Sequence, residues 1–224
     1  MKTSERKTVI ITGCNHGLGE ALVTNLIDKT DHFIISVSRG VTSEQRSFSN
    51  QRFQYFQCDF ENDNIEESIQ NLSSFFTTNQ IVFVNNAGTI KPITLIETLN
   101  NKSIESSISV NMKAPILISI YLSRLINQYS LSIINITTGA AKRPISSWSL
   151  YCSTKAATHH FFEVLKEEYP TVQVRHHDPG VLDTSMQTYI RESNFSLSSV
   201  FRTYKEEGKL KSTSSAAEEI IRLI

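Results

Sequence analysis

The stretch TVIITGCNHGLGEALVTNLIDK, residues 8–29, decides the fold of this chain. TVIIT is a short apolar run typical of a strand, and LGEALVTNLIDK carries apolar residues at helical spacing. Between them, three of the chain's eight glycines fall at Gly13, Gly17 and Gly19. Such a turn lets a pyrophosphate approach the N–H groups at a helix N-terminus. The spacing differs from the usual G-x-G-x-x-G, and a loop with chance glycines is the alternative; the position after the first strand favours dinucleotide binding.

Strand-like and helix-like segments alternate along the rest of the chain. Strands are predicted at 33–38, 52–58, 81–86, 131–137 and 171–177, and helices at 62–76, 103–128, 147–168, 184–207 and 215–224. We expect Pro115 to kink the helix over 103–128. This order predicts an α/β fold, a Rossmann-type doubly wound parallel sheet with helices on both faces, and residues 1–224 as a single dinucleotide-binding and catalytic domain.

Composition limits the partners and the compartment. The chain has 22 Lys and Arg against 22 Asp and Glu, so its formal net charge is zero. This balance argues against nucleic acid or an anionic membrane as a partner, because binding phosphates needs clustered positive charge. Three cysteines without a C-x-x-C pair fit a reducing compartment. The N-terminal apolar run is too short for a signal peptide, and no run is long enough to span a bilayer, so we expect a cytoplasmic protein.

Tyr151 and Lys155 stand four residues apart on a predicted helix and therefore share one face. An ammonium near a phenol lowers the pKa of the phenol and lets it exchange a proton with a carbonyl oxygen. A surface Tyr–Lys pair on an amphipathic helix is the alternative. The pairs His159-His160 and His176-His177 lack a ligand set at suitable spacing, so we expect no metal site.

Five motifs occur in an order that resembles the short-chain dehydrogenase/reductase family over essentially the whole chain. They are TGCNHGLG (12–19), NNAG (85–88), Asn111, YCSTK (151–155) and PGVLDT (179–184). The segments WSLYCSTKAA and DPGVLDTSMQ are similar to sepiapterin reductases and bacterial benzil reductases. Members of this family usually continue past the last helix into one more strand. Two alternatives stay open for this strand: it belongs to a tail that these 224 residues do not include, or the sheet is one strand short.

The resemblance implies a catalytic set of Asn111, Thr138, Tyr151 and Lys155. Thr138 stands where the family has a serine; it keeps the hydroxyl that would hold a substrate carbonyl, and its methyl group narrows the pocket. Asn111 is expected to bend its helix and to hold a water that relays protons to Lys155. Lys155 is also expected to bind the nicotinamide ribose.

Residues expected to contact the dinucleotide follow the ends of the predicted strands. They are Gly13, Asn15, His16, Gly17, Leu18, Gly19, Ser38, Arg39, Asp59, Asn86, Ala87, Gly88, Tyr151, Lys155, Pro179, Gly180 and Thr184. The resemblance sets Asp59 against adenine, with a helix cap as the alternative. The segment Ser38-Arg39 lacks the carboxylate that would bind the free ribose 2′-hydroxyl of NADH. The Arg39 guanidinium suits the 2′-phosphate of NADPH, so we expect NADPH rather than NADH.

The function expected from these features is NADPH-dependent reduction of a small dicarbonyl or aryl ketone, benzil- or sepiapterin-like, to a hydroxy ketone. A non-catalytic NAD(P)-binding redox-sensing module is the alternative. Trp148, Met186 and Tyr189 either line the substrate pocket or belong to the core. The expected partner is a small-molecule carbonyl substrate, and the resemblance implies a homodimer or homotetramer.

Overall fold

A parallel sheet of six strands forms the centre of the structure, a computed structural model that describes residues 5–224. The strands are β1 (Thr8–Thr12), β2 (Phe33–Ser38), β3 (Phe53–Gln57), β4 (Gln80–Asn85), β5 (Ser130–Ile136) and β6 (Gln173–His177). Their order is β3-β2-β1-β4-β5-β6. Thr8 of β1 pairs with Phe33 on one side and with Ile81 on the other, so the chain reverses direction across the sheet between β1 and β4. A crevice opens at such a switch point, at the carboxyl ends of the strands.

Helices cover both faces of the sheet. They are α1 (Gly17–Lys29), α2 (Ser43–Ser47), α3 (Ile65–Ile69), α4 (Asn101–Ile108), α5 (Ala114–Ser123), α6 (Ser149–Glu168), α7 (Ser185–Glu192), α8 (Ser198–Glu206) and α9 (Thr213–Ile221). Val9 and Ile11 of β1 pack with α1 and α9 on one face, whereas Ile10 packs with α5 and α6 on the other. Continuous apolar runs such as TVIIT are therefore explained by strands that are buried on both sides. The predicted fold class is confirmed.

The predicted kink at Pro115 stays a prediction. A π-helical turn over Ser109–Lys113 joins α4 to α5 in one continuous helical stretch, and Pro115, two residues beyond this turn, lacks the N–H that would bind the Asn111 carbonyl oxygen. The helix also ends at Ser123 rather than at 128. The irregular turn therefore contains Asn111, the residue that the resemblance expects to bend the helix, and lies directly before the proline.

Two other predicted helices are shorter than expected. The segment 62–76 contains α3 and a separate 3₁₀ turn over Leu72–Phe75, because the backbone N–H of Ser73 donates to the Tyr121 hydroxyl (2.9 Å) instead of extending the helix. The segment 184–207 divides into α7 and α8 around Phe195, which is buried. No helix within residues 5–224 is both long and apolar enough to cross a membrane.

Candidate active site

One large cavity, of about 1040 Å³, lies at the carboxyl edge of the sheet. Every site residue predicted from the sequence lines this cavity except Asn111. Those lining it are Gly13, Asn15, His16, Gly17, Leu18, Gly19, Ser38, Arg39, Asp59, Asn86, Ala87, Gly88, Thr138, Tyr151, Lys155, Pro179, Gly180 and Thr184. The fold thus brings together residues from all parts of the chain.

The glycine turn forms one end of the cavity and fits an anionic dinucleotide. Gly13 and Gly17 have φ angles of +71° and +62°, which other residues rarely adopt. The Asn86 side chain donates to the carbonyl oxygens of Thr12 (2.8 Å) and Gly13 (3.1 Å) and so holds the turn in place. No side chain caps the first turn of α1. Its backbone N–H groups therefore remain available to a pyrophosphate at the cavity wall.

Gly19 is expected to tolerate no larger residue. A Cβ at this position would lie 2.1 Å from the Gly13 carbonyl oxygen, so the turn itself would have to move. Overpacking of this kind costs about 1–3 kcal/mol, and we expect Gly19→Ala to weaken NADPH binding about tenfold or more. Fluorescence titration of NADPH measures the change. Gly40→Ala is the matched control, because its nearest neighbour would lie 3.8 Å away; equal affinities for the two variants would contradict the prediction.

The end of the cavity beside β2 and β3 carries Ser38, Arg39 and Asp59. The Ser38 hydroxyl donates to the Gly40 carbonyl oxygen (2.8 Å), whereas the exposed Arg39 guanidinium has no hydrogen-bond or ion-pair partner within residues 5–224. The Asp59 carboxylate accepts from the Glu61 N–H (3.1 Å) and from the Asn62 amide (2.9 Å). Asp59 thus holds the turn after β3 and faces the cavity; the helix-cap alternative is wrong, because Asn64 caps the helix that follows.

Tyr151 and Thr138 lie at the other end of the cavity, and both side chains carry hydroxyl groups. Tyr151 exposes only 9% of its surface. Burial raises the pKa of the Tyr151 phenol above its ordinary value, the Asp178 carboxylate raises it further, and a hydrogen bond from the Thr138 hydroxyl opposes the shift. The sequence predicts a lowered pKa; the structure gives the opposite direction because burial outweighs the hydrogen bond and Lys155 does not contribute.

Lys155 is buried below the cavity floor, with 6% of its surface exposed. Its Nζ donates to the Ile136 carbonyl oxygen (3.0 Å), and burial lowers the pKa of the lysine to about 8. Gly88 lies beside this side chain, since a Cβ there would be in ordinary van der Waals contact with Nζ at 3.6 Å. Lys155 is thus fixed by the end of β5, one helical turn beyond Tyr151 on α6.

Asn111 acts behind the cavity wall. Its Oδ1 accepts from the Thr89 N–H (2.8 Å), and its Nδ2 donates to the Thr89 carbonyl oxygen (2.8 Å) and to the Thr154 hydroxyl (3.1 Å). Its own carbonyl oxygen accepts from Thr158 (2.7 Å), a partner on α6. Asn111 therefore ties the loop after β4 to the helix that carries Tyr151. Its water-holding role stays a prediction.

Trp148, Met186 and Tyr189 give the substrate end of the cavity aromatic and thioether surface, and both interpretations of these residues apply. These residues line the cavity and belong to a buried cluster with Tyr151. The Trp148 indole meets the Tyr151 ring edge to face at 5.8 Å and stacks on Phe201 of α8 at 5.6 Å. Phe201 was not among the residues predicted from the sequence. It lies three residues before Tyr204, a spacing that places both rings on one face of a helix and could have identified it.

The histidine pairs do not form a metal site in the described part of the chain, residues 5–224, which holds no group of three potential ligands. His176 instead shares hydrogen bonds with Glu163 (2.9 Å) and Asn135 (3.0 Å), and its ring lies tilted against the His159 ring, with the ring centres 3.9 Å apart. Burial lowers the pKa of His176 below its ordinary value.

Comparisons with known proteins agree with the sequence motifs. A family model described as short chain dehydrogenase matches residues 7–194. Benzil reductase ((S)-benzoin forming) of Bacillus cereus is 32% identical over 236 residues, covering 96% of this chain and 93% of that protein. Sepiapterin reductase of Bos taurus is 29% identical over 152 residues, covering 65% and 57%. The crystal structure of the KRED1-Pglu enzyme superimposes with a TM-score of 0.88 at 26% identity, covering 97% of this chain and 94% of that one. The predicted resemblance is confirmed.

Proposed function

The chain belongs to the short chain dehydrogenase family and is an NAD(P)-dependent oxidoreductase; on this premise we propose that it is an NADPH-dependent carbonyl reductase. Its proposed catalytic residues are Thr138, Tyr151 and Lys155, with Asn111 as the residue that positions them. The proposed dinucleotide site is the cavity wall from the glycine turn to Arg39 and Thr184. The reductases among its relatives favour catalysis over the redox-sensing alternative.

The observation that carries the proposal is the position of the Tyr151 phenol, buried in the same cavity as the glycine turn. Nicotinamide, when bound, supplies the hydride that reduces a carbonyl carbon. The carbonyl oxygen then needs a proton, and Tyr151 donates it. Because burial raises the pKa of this phenol, the donor is fully protonated at neutral pH, which suits the reductive direction.

Thr138 and Lys155 support the proton transfer in different ways. The Thr138 hydroxyl has a single proton, which it directs at Tyr151 in this structure and can turn to the oxygen of a bound substrate. Lys155 has a pKa of about 8, so it exchanges protons readily near neutral pH and can return a proton to the phenolate. Thr138 lies two residues after β5, and Tyr151 and Lys155 lie one turn apart on α6.

We propose a small dicarbonyl or aryl ketone as the substrate. Trp148, Met186 and Tyr189 offer aromatic and thioether surface to a flat group, and the Thr138 methyl disfavours bulk beside the reacting carbon. The benzil reductase relative, named for a diketone substrate, supports this class. We also propose a cytoplasmic location and assembly into a homodimer or homotetramer, as predicted from the sequence.

A panel of ketones tests the substrate class. With saturating NADPH, we expect benzil or 1-phenyl-1,2-propanedione to give the highest kcat/KM, ahead of sepiapterin, a 3-ketosteroid and an acetoacetyl thioester. A tenfold advantage corresponds to about 1.4 kcal/mol in transition-state binding. A steroid or thioester that leads by this margin would refute the substrate class but not the reductase chemistry.

A further inference from the structure

Two cations stand at the substrate end of the cavity without an acidic partner. Lys91 follows β4 and Arg143 follows β5; both are exposed, and both line the cavity. Within residues 5–224 neither side chain forms an ion pair with a carboxylate. Five other lysine and arginine side chains of the described residues do form such pairs, as Lys29 does with Glu218 at 2.6 Å.

The acidic residues of the cavity lie elsewhere or are already engaged. Asp59 and Glu61 line the opposite end, after β3. Asp178 is the remaining acid of the lining in the described chain, and its carboxylate accepts from the Gly180 N–H (2.9 Å). The substrate end therefore carries a net positive charge, which low-dielectric walls such as those around Trp148 strengthen.

Arg143 lies next to the position of the reacting carbonyl. A Cβ at Gly139 would be 3.8 Å from Arg143 Nε and 3.9 Å from Nη2, so the guanidinium folds back over the residue that follows Thr138. A guanidinium binds a carboxylate through two parallel hydrogen bonds. If Thr138 binds the oxygen of the reacting carbonyl, a group attached directly to the carbonyl carbon is within reach of the Arg143 guanidinium.

Lys91 is held on the opposite wall. Its Nζ lies 4.9 Å from the centre of the Tyr189 ring, a cation–π contact that fixes the ammonium beside a residue of the substrate pocket. The loop after β4 and helix α7 are joined by this contact. The two cations thus face the same space from two separate elements.

From this arrangement we infer that the preferred substrate carries a carboxylate next to the reacting ketone, as in an aryl 2-oxo acid. The inference rests on the proposed reductase function and narrows its substrate class. The reaction adds a hydride to the ketone carbon and a proton to its oxygen, giving the 2-hydroxy acid, while the carboxylate is unchanged. Arg143 binds the carboxylate, and Lys91 contributes to the positive potential that attracts it.

Benzoylformate and its methyl ester test the inference, because they share the same ketone and differ in charge. The measured quantity is the ratio of kcat/KM for the acid to kcat/KM for the ester, with saturating NADPH. We expect this ratio to fall about tenfold or more in Lys91→Met and in Arg143→Met, and Arg143→Lys to recover part of it. Lys142→Met is the matched control, since Lys142 is an exposed neighbour outside the cavity; its ratio should stay within about twofold.

A second measurement uses the unmodified protein, so it does not depend on the folding of a variant. Raising the ionic strength from about 0.05 M to about 0.5 M should lower the acid-to-ester ratio several-fold, because salt screens the exposed cations. A ratio that is insensitive both to salt and to the two substitutions would overturn the inference alone. An equal fall in Lys142→Met would overturn it too. Reduction of benzil but of neither test ketone would also overturn the inference, whereas failure of the unmodified protein to reduce benzil and both test ketones would overturn the proposed function.

Discussion

Tyr151→Phe is expected to lower kcat about 10²–10⁴-fold while NADPH affinity is largely retained, because the substitution removes the proton donor and leaves the ring. Tyr151 lies in the buried cluster around Trp148, and its ring contacts the indole edge to face at 5.8 Å. Phenylalanine can keep this contact. The protein should therefore fold, bind the dinucleotide and fail at proton transfer.

Steady-state turnover and fluorescence titration of NADPH separate the two effects. Tyr129→Phe is the matched control, since Tyr129 packs against Phe76, outside the cavity. We expect normal turnover and binding in the control. Turnover of Tyr151→Phe within a few-fold of the unmodified protein would show that another group supplies the proton and would remove Tyr151 from the catalytic set.

The parallel sheet could be predicted because its strands are buried on both faces. Such strands appear in the sequence as continuous apolar runs, for example TVIIT and IVFVN, separated by amphipathic helices. Helix bounds were less predictable where tertiary contacts compete with local preference. The N–H of Ser73 is bound by Tyr121, which lies 48 residues away, and no local pattern reveals this.

The π-helical turn was not predicted for a related reason. Proline is the usual local signal for a helix irregularity, and the turn ends two residues before Pro115. The π-helical turn depends on partners distant in sequence: the Asn111 side chain binds Thr89, and its carbonyl oxygen binds Thr158. Asn111, in the middle of a predicted helix, was the remaining sequence signal for an irregular turn. The resemblance implied that this residue bends the helix.

Site residues were predictable where they form ordered motifs and not where they depend on the packing of loops. The glycine turn and the Tyr–Lys spacing are local patterns, so their positions in the cavity were expected. Lys91 and Arg143 are isolated charges in loops, and the sequence does not show that they share a cavity. The direction of the Tyr151 pKa was also missed, because the degree of burial is a property of the whole site.

Arg39 is expected to determine the preference for NADPH over NADH. Ser38 and Arg39 end β2 beside the glycine turn, where a carboxylate would select the free ribose 2′-hydroxyl. The Ser38 hydroxyl is engaged by the backbone of Gly40, whereas the Arg39 guanidinium has no protein partner in the described residues. A phosphate on the ribose can therefore bind this guanidinium without breaking an existing interaction.

Substitutions at Arg39 should change the ratio of the two cofactor affinities. A charge-assisted hydrogen bond contributes about 1.5–3 kcal/mol, so Arg39→Ala should weaken NADPH binding about 10- to 100-fold and leave NADH binding nearly unchanged. Arg39→Asp should reverse the preference, because its carboxylate repels the phosphate and accepts a hydrogen bond from the 2′-hydroxyl. Dissociation constants from fluorescence titration measure the ratio without turnover, and Arg124→Ala, at an exposed arginine outside the cavity, serves as the control. Equal affinities of the unmodified protein for NADPH and NADH would refute the preference itself, and an unchanged ratio in Arg39→Ala would show that another feature of the cavity selects the cofactor.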